Sequence, residues 1–508
     1  MRDSESVSQG LRTAHFDVVS CRGAQAINVA WERKNPAIDA TSSVSSLHFH
    51  SPSPIRRLGG CSTCQVGHPN HPETCGDVEF CIPPHSLHPL IAMTAAATSQ
   101  PPRFSGYQKL VVGMLAFLQF AVILDFMIMS PLGAVIMPAL DIGPTQFGLV
   151  VSAYAFSAAA SGLLTAGFAD RFDRKRLLLF FYTGFILGTV WCGLAQSFEN
   201  LLAARIVTGL FGGVIGSVVL AIATDLFPVQ MRGRVMGFIQ TAFAASQVLG
   251  IPIGLFLSNH WNWHVPFLAM AGLGLVGGLI VAWKMQPVAE HLKAPREHSA
   301  FLHLRNTVTE PRYLIAFATV ALLTTGGFML MPFSSAFAVN NLGIGLDVLP
   351  VVYLVTGIST IFFGPLIGRT ADKFGKFRVF TMGTALSILM VVIYTHLGPV
   401  SLITLVIVNA VLFVGIFSRM IPFQALVSTV PAATQRGSFN AISASIQQLS
   451  GGIASVVAGH IVVLAPDGKL QHFEVVGYVV VATSIGAWLL VRRLNRNLMA
   501  AATEHAPR

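Results

Sequence analysis

Residues 166–175 read AGFADRFDRK, and residues 368–378 read GRTADKFGKFR. Each stretch closes a long apolar run with a carboxylate, Asp170 or Asp372, and continues with a cluster of Arg and Lys side chains. The two aspartates are 202 positions apart. One loop pattern that recurs at a fixed distance indicates that the chain is built from two copies of a unit.

A second landmark repeats at almost the same distance. Arg232-Gly233 stands in front of one apolar run, and Arg436-Gly437 stands in front of another, 204 positions later. Two landmarks at nearly one offset predict a duplicated helical unit, which is typical of secondary transporters.

The composition excludes a soluble chain. Hydrophobic residues make up 53% of the 508 residues and charged residues only 11%, against about 25% charged residues in ordinary globular proteins. The formal net charge is +10, but Lys and Arg are scattered through short loops between apolar runs. The basic balance therefore indicates membrane topology, and no nucleic-acid partner is expected.

Apolar runs of about 20 residues predict twelve membrane-spanning helices. The expected spans are 108–137, 145–168, 177–197, 201–224, 235–257, 265–284, 313–338, 347–369, 379–397, 400–427, 437–463 and 475–491. A polar, basic loop at 285–312 divides them six and six. The predicted fold class is an all-α membrane protein with two pseudo-symmetric six-helix bundles.

The same pattern predicts the domain organisation. The expected parts are an N-terminal cytoplasmic extension at 1–104, a six-helix bundle at 105–284, a cytoplasmic central loop at 285–312, a second six-helix bundle at 313–493 and a cytoplasmic tail at 494–508.

Charge asymmetry between alternate loops predicts the orientation. One set of loops, the basic-loop side, holds Arg171, Arg174, Lys175, Arg176, Arg232, Arg234, Lys293, Arg296, Arg369, Lys373, Lys376, Arg378 and Arg436. The other set, the acidic-loop side, holds Lys469 with Asp141, Glu199, Asp347, Asp467 and Glu474. The positive-inside rule then places the basic-loop side and both termini in the cytoplasm.

Residues 1–92 differ from the rest of the chain. They contain five of the six cysteines, and Cys61-x-x-Cys64 is followed by His68, His71, Cys75 and Cys81. These are soft-metal ligands, but the later spacing fits no common zinc template, so no metal site is expected. The favoured interpretation is a mis-assigned start, because Met93 begins an ordinary short leader. In either case the segment is expected to be disordered.

Asp125 is the sharpest functional signal. Residues 93–508 contain fourteen Asp and Glu, and thirteen of them fall in predicted loops, tails or helix ends. Asp125 alone lies well inside a predicted span, the first. A charge at the centre of a membrane helix costs about 2.5–3.5 kcal/mol on insertion scales. We therefore expect Asp125 to bind a proton or recognise a cation; the alternative is a structural Asp that is neutral or paired with an Arg.

Two arginines also lie within spans. Arg205 is in the first part of the fourth span, and Arg419 is past the middle of the tenth. Arg205 is expected to line the transport path. For Arg419, three roles stay open: holding a substrate anion, pairing with Asp125, or extending toward the interface.

Polar residues at helical spacing outline a cavity wall. The expected pocket residues are Tyr154 on the second span, Gln247 on the fifth, and Asn440 and Gln447 on the eleventh. Amides on such a face can orient a polar ligand, and they equally serve as links between helices.

The two repeated loops are expected to form a conformational latch. Its predicted members are Asp170, Arg171, Arg174, Asp372, Lys373, Gly375 and Lys376. A carboxylate and nearby cations can pair with neighbouring helix ends in one conformation and release them in another. The simpler alternative is that these loops only satisfy the positive-inside rule.

These motifs, taken together, resemble the major facilitator superfamily. The loops after spans two and eight are similar to its G-x-x-x-D-[RK]-x-G-[RK] signature, although Ala166 and Asp173 replace the usual glycines. Leu201-x-x-x-Arg205-x-x-x-Gly209 resembles a motif of its proton-coupled members. Gly250-Ile-Pro252-Ile-Gly254 resembles its antiporter motif, with Ile251 intervening. Residues 261–267 resemble the start of span six in the drug-efflux and arabinose-efflux branch.

The resemblance implies a secondary active transporter that works by alternating access. It favours proton-coupled efflux of a small drug-like or sugar-like solute, with protons and the lipid bilayer as its other partners. A facilitator or uptake permease, and a membrane sensor that does not transport, are the alternatives. No enzyme activity and no cofactor are expected. The expected location is a bacterial inner membrane, with the monomer as the working unit.

Overall fold

The fold consists of membrane-length helices, as the apolar runs predict. The computed structural model describes residues 15–21, 24–30, 80–82, 104–166, 169–289, 292, 306–431 and 435–504. Within these residues, twelve helices are long and apolar enough to cross a membrane. The predicted all-α membrane fold is confirmed.

Spans 1–12 are numbered along the chain. They begin with the helices Gly106–Ile128, Pro144–Ala166, Arg174–Leu194, Phe198–Leu226, Val229–Ala245, His264–Lys284, Pro311–Leu330, Leu349–Phe374, Lys376–Thr395, Leu402–Val427, Arg436–Ile461 and Phe473–Glu504. Short helices at Gly133–Ala139 and Ser334–Asn340 follow spans 1 and 7, and a two-stranded ribbon, Val463–Leu464 with Leu470–Gln471, precedes span 12.

Spans 1 and 7 are broken where the sequence predicts continuous helices. The predicted span 108–137 ends its main helix at Ile128, and a turn containing Pro131 precedes the short helix that follows. Span 7 changes to a 3-10 turn at Met331–Phe333, which contains Pro332. Proline lacks an N–H group and disfavours helical geometry in the residue before it, so each helix is interrupted at this position.

Span 5 contains a π-helical turn. Residues Ser246–Gly250 form this turn between Val229–Ala245 and Ile251–His260, and the Ile251 N–H bonds to the Ser246 carbonyl. Pro252 cannot donate to the carbonyl four residues earlier, and its ring crowds that carbonyl. A widened turn just before the proline accommodates this mismatch, and π-turns of this kind are frequent at functional sites.

The apolar core is shared by the two halves only toward the acidic-loop side. One cluster of buried side chains combines Leu124 and Phe147 of the first half with Phe333 and Phe337 of the second. Toward the basic-loop side, separate clusters occupy the first half and the second half. Phe243 of span 5 also faces Phe417 of span 10, with ring centroids 6.5 Å apart.

Hydrogen bonds between the halves follow the same distribution. Within the described residues, four such bonds are present, and all four lie toward the acidic-loop side. They are Ser130 Oγ to the Met331 carbonyl, Ser335 Oγ to the Ser130 carbonyl at 2.9 Å, Thr145 Oγ1 to the Gly459 carbonyl at 2.9 Å, and Asn259 Nδ2 to the Leu346 carbonyl at 2.5 Å. The structure therefore holds the halves together on this side.

Close helix contacts depend on small residues. A Cβ atom on Gly213 of span 4 would lie 2.5 Å from Ala158 Cα of span 2, and one on Gly148 would lie 2.7 Å from the Ser455 carbonyl oxygen of span 11. Only glycine permits backbones to approach this closely, and such contacts replace the hydrophobic effect as the source of packing energy in lipid.

The chain divides between Gln100 and Pro101 into two units. In the first unit, the strands His15–Cys21 and Ala24–Ala30 pair antiparallel, and Ala24–Ala30 pairs antiparallel with Phe80–Ile82. The sequence predicts no regular structure here, but the β-branched residues Val18, Val19, Ile27 and Val29 of the first two strands favour this pairing. Most of residues 1–92 lie outside the described part of the chain. The predictions of disorder, of a mis-assigned start and of no metal site concern that segment.

Candidate functional site

Asp125 and Arg205 form a buried ion pair between spans 1 and 4. Arg205 Nη1 lies 2.8 Å from Asp125 Oδ2, and neither residue has exposed surface. Arg205 Nη1 also lies 3.5 Å from the Asp125 backbone carbonyl. Burial penalises both charges, and only a close, hydrogen-bonded pair offsets that penalty. The sequence-level alternative in which Asp125 pairs with Arg419 is not the arrangement in this structure.

Span 3 adds polar groups that the sequence analysis did not single out. Thr189 Oγ1 donates to Asp125 Oδ1 at 3.2 Å, which gives the carboxylate a neutral donor besides Arg205. Cys192, one turn further along, lies 3.6 Å from Thr208 Oγ1 of span 4. The available signal was the spacing of Thr208 three residues after Arg205, which puts both on one face of span 4.

Aromatic rings connect the ion pair to the second half. The Arg205 guanidinium carbon lies 4.6 Å from the centroid of the Tyr154 ring in span 2. That ring is 5.1 Å from Phe126 of span 1, and Phe126 is 5.6 Å from Phe328 of span 7. Tyr154, which the sequence predicts as a pocket residue, is 2% exposed and lies under the guanidinium.

The glycines of the antiporter-like motif pack beside the ion pair. A Cβ atom on Gly250 would lie 2.5 Å from Leu124 Cδ1, and one on Gly254 would overlap Ile128 Cδ1. Leu124 and Ile128 flank Asp125 on span 1. Pro252 widens the preceding turn, so the motif both shapes span 5 and brings it against the segment that carries Asp125.

The remaining predicted pocket residues have no described contact with the Asp125–Arg205 pair. Gln247 lies in the π-turn and is 8% exposed; a Cβ atom on Gly357 of span 8 would lie 3.0 Å from its carbonyl oxygen. Asn440 and Gln447 are exposed on span 11. Arg419 lies apart from the Asp125 pair, and its Nη1 donates to Ser387 Oγ of span 9 at 3.1 Å.

Among the latch residues of the first half, Arg174 connects spans 3 and 4. Arg174 Nε lies 3.2 Å from Asp225 Oδ2. The backbone N–H of Arg174 donates to the Val288 carbonyl at 3.0 Å. Arg171 is exposed. The side chain of Asp170 lies outside the described part of the structure.

The latch residues of the second half are more exposed. Asp372 and Lys373 both face outward, and the Lys373 ammonium lies 5.4 Å from the Phe374 ring. Lys376 Nζ donates to the Ala425 carbonyl of span 10 at 3.4 Å. In this conformation, the described contacts of Arg174 and Lys376 stay within their own halves.

The corresponding positions Asp173 and Gly375 of the two signature loops differ in backbone conformation. Gly375 has φ +95°, in the left-handed region that favours glycine. The corresponding Asp173 has φ −56° and caps span 3, because its side chain accepts the Arg176 N–H at 3.0 Å. An aspartate therefore replaces the usual glycine here without strain.

Comparison with known proteins gives one family and several relatives. The family model described as Major Facilitator Superfamily matches residues 115–455. An uncharacterized MFS-type transporter, YceJ of Bacillus subtilis, is 26% identical over 362 residues, which cover 70% of this chain and 89% of the relative. Fnx2 of Schizosaccharomyces pombe, a vacuolar membrane amino acid uptake transporter, is 33% identical over 137 residues, 27% of this chain and 24% of its own length.

Solved structures share the fold at low sequence identity. A bacterial homologue of the human lysosomal transporter Spinster, in an inward-facing and occupied conformation, aligns with a TM-score of 0.58 and 15% identity. The alignment covers 79% of this chain and 98% of the homologue. At this identity, the likeness establishes the fold alone. The matched fold and relatives are transporters and not enzymes.

Proposed function

The chain belongs to the major facilitator superfamily, and from this premise we propose that it exports a small organic solute in exchange for protons. As an MFS-type membrane transporter it binds a small-molecule substrate and sits in the bilayer. The proposal adds the proton, the outward direction and a drug-like or sugar-like solute. The buried Asp125–Arg205 pair is the observation that carries it.

The ion pair supplies a switch that one proton can operate. A proton on Asp125 removes one charge of the pair and leaves Arg205 without its counter-ion in a buried site. An uncompensated buried charge is strongly unfavourable, so the surrounding helices must rearrange or Arg205 must find another partner. Protonation therefore changes which arrangement of the helices is favoured, as coupled transport requires.

The aromatic chain gives this switch a path to the other half. Arg205 rests on Tyr154, Tyr154 packs on Phe126, and Phe126 contacts Phe328 of span 7. Movement of the guanidinium changes the support of the Tyr154 ring, and with it the packing between spans 1 and 7. We propose that this path loosens the contacts on the acidic-loop side when Asp125 is protonated.

The remaining parts of the proposal concern topology and conformation. The basic-loop side and both termini are assigned to the cytoplasm on the positive-inside rule, in a bacterial inner membrane. The described arrangement is assigned as closed toward the outside, because the hydrogen bonds and shared core lie on the acidic-loop side. Latch residues such as Arg174 and Lys376 would join the halves in the opposite state, and the monomer would be the working unit.

Proteoliposomes with an internal pH dye test the proposal. The full chain and the variants Asp125→Asn, Asp125→Glu and Glu199→Gln would be given cationic drugs, sugars and amino acids in turn. Glu199 is an exposed acid in the first turn of span 4, so its variant removes the same charge from the same half. Amino acids belong in the panel because fnx2 is an amino acid transporter.

The expected result is proton movement that depends on one solute class and disappears in Asp125→Asn. Asp125→Glu retains a carboxyl group and is expected to keep part of the signal, and Glu199→Gln is expected to behave as the unaltered chain. Solute flux without proton movement in the unaltered chain would contradict the proposal and favour a facilitator. Unchanged proton movement in Asp125→Asn would remove Asp125 from the coupling mechanism.

A further inference from the structure

Arg419 is a buried cation whose charge no described side chain balances. It lies on the inward face of span 10 and is 6% exposed. Its Nη1 donates to Ser387 Oγ, a neutral group. Nε and Nη2 are enclosed and have no hydrogen-bond partner among the described residues. Arg205 also has an unpartnered Nε, but Asp125 neutralises its charge.

The second half contains no internal acid that could serve as the counter-ion in its described residues. Its acidic residues there all lie at helix ends or in loops: Glu310, Asp347, Asp372, Asp467, Glu474 and Glu504. Asp125, the acid inside the first half, is already paired with Arg205. Asp125, Arg205 and Arg419 are the three buried charges that lie away from the ends of the described spans, and Arg419 is therefore the one left over. A charged side chain well inside a membrane helix is costly to insert, so an unbalanced one indicates function.

Close packing fixes the position of the guanidinium. Spans 9 and 10 meet on both sides of it: a Cβ atom on Gly383 would lie 2.5 Å from Ser418 Cβ, and one on Gly415 would lie 3.0 Å from the Ser387 N atom. Ser387 Oγ accepts from Arg419 and in turn donates to the Thr384 carbonyl at 3.1 Å. Side chain and support are thus held in place before any ligand binds.

The two free donors share one edge of the guanidinium. Nε–H and an N–H of Nη2 point in the same direction, and this edge matches the two oxygens of a carboxylate in a bidentate pair. Nη1 already donates to Ser387. The remaining Nε and Nη2 edge is well suited to a planar anion. Ligand specificity is therefore expected to depend on shape as well as on charge.

We infer that Arg419 binds a carboxylate of a small solute that enters the second half, through its Nε and Nη2 edge. The free edge is enclosed in the described arrangement, so the ligand enters when the surrounding spans open. In this respect the inference rests on the proposed alternating-access function. It narrows the substrate class to solutes that carry a carboxylate.

Thermal unfolding of the detergent-purified full chain tests the inference, with sodium benzoate as the probe. Benzyl alcohol serves as the neutral analogue, and sodium chloride at matched ionic strength serves as the simple anion. The variants are Arg419→Gln, which removes the charge, and Arg419→Lys, which keeps the charge without the fork. Arg312→Gln is the control, because the Arg312 side chain is 88% exposed and its loss changes the net charge equally.

Benzoate is expected to raise the melting temperature of the unaltered chain and of Arg312→Gln by about 2–4 °C at saturation. The rise should be absent in Arg419→Gln and reduced in Arg419→Lys. No rise in the unaltered chain, or an equal rise in Arg419→Gln, overturns the inference. An equal rise with chloride overturns the assignment to a carboxylate, and an equal rise with benzyl alcohol overturns charge recognition.

The assay separates this inference from the proposed function. Benzoate binding needs no proton gradient and no intact coupling, so it can succeed where proton movement fails. If Arg419→Gln does not fold, Arg419→Lys and the comparison of benzoate with chloride still decide the outcome.

Discussion

The Ser335 hydroxyl donates to the Ser130 carbonyl at 2.9 Å and joins the break in span 7 to the break in span 1. Ser130 immediately precedes Pro131, and Ser335 follows Pro332 by one turn. The two prolines are 201 positions apart, close to the offset of the repeated loops. The duplicated unit therefore repeats its helix break as well, and the two breaks meet where the halves touch.

Contacts on the acidic-loop side are expected to depend on Gly148. A valine there would place Cβ 2.7 Å from the Ser455 carbonyl oxygen, so spans 2 and 11 must separate. We expect the closed arrangement to become less populated. The reporter is Ala336→Cys, at a position with no exposed surface, labelled with a membrane-impermeant maleimide and read by peptide mass spectrometry.

Labelling of the reporter should be about fivefold to tenfold faster in Gly148→Val, which corresponds to roughly 1–1.4 kcal/mol. Gly143→Val is the matched control, because a Cβ atom on Gly143 meets nothing within 4 Å. Equal labelling rates in both variants would show that the contact between spans 2 and 11 does not hold this side closed.

The Arg174–Asp225 pair is expected to stabilise the first half measurably. Its side chains are 9% and 24% exposed, so solvent screens the pair only in part. A double-mutant cycle with Arg174→Gln and Asp225→Asn, followed by chemical unfolding of the purified chain, should give a coupling energy of about 1 kcal/mol.

The Asp467–Lys469 pair provides the comparison for that cycle. Its atoms are 3.9 Å apart, and both side chains are more than half exposed. Its coupling energy should be about 0–0.5 kcal/mol. A coupling energy for Arg174–Asp225 that is no larger than this would mean that the pair makes no specific contribution to the half.

The sequence predicts the spans well because lipid imposes a simple rule. A helix must satisfy its own backbone groups in the bilayer, so length and apolarity identify it. The breaks in spans 1 and 7 were not predicted. Pro131 and Pro332 lie within apolar runs, and apolarity alone does not show whether a proline interrupts the helix or is tolerated in it. The capping role of Asp173 was not predicted either, because a cap can be assigned only when the first residue of the helix is known.

The sequence predicted the charges of the candidate site, together with Tyr154 and the glycines that pack beside the pair. Asp125, Arg205 and Arg419 are conspicuous because charge inside a membrane helix is costly. Their pairing depends on the rotation of each helix about its axis, which apolar runs leave undetermined. Thr189 and Phe328 were missed because a lone threonine or phenylalanine in an apolar helix is usual. Asn440 and Gln447 are both exposed on span 11, and their role in a pocket stays a prediction.

Gly375 is expected to tolerate substitution poorly. Its φ of +95° lies in a region where an L side chain is strained, so Gly375→Ala should lower the unfolding free energy by about 1–2 kcal/mol. Asp173→Ala, at the corresponding loop position, should cost about 0.5–2 kcal/mol through loss of the cap. Asp173→Asn, which can cap as well, should cost less.

Gly368→Ala is the control for the glycine effect. Gly368 lies within span 8, and a Cβ atom there meets nothing within 4 Å. Alanine favours helix over glycine by up to about 1 kcal/mol, so this variant should be neutral or more stable. Chemical unfolding in a fixed detergent compares all four variants. If Gly375→Ala unfolds like Gly368→Ala, the positive φ imposes no cost.

Tyr154 is expected to matter for coupling through its ring and not through its hydroxyl. The ring faces the Arg205 guanidinium at 4.6 Å, and a desolvated contact of this kind contributes about 2 kcal/mol. Tyr154→Phe keeps the ring and should retain solute-dependent proton movement within about twofold. Tyr154→Leu removes both the ring face and the contact with Phe126, and should slow proton movement by about thirtyfold.

Tyr182→Leu is the control for the loss of a buried ring. Tyr182 lies in the same half and packs on Phe185, with ring centroids 5.9 Å apart, and it has no described contact with Arg205. Internal pH recordings on proteoliposomes measure all three variants, and equal losses in Tyr154→Leu and Tyr182→Leu would reduce the role of Tyr154 to packing.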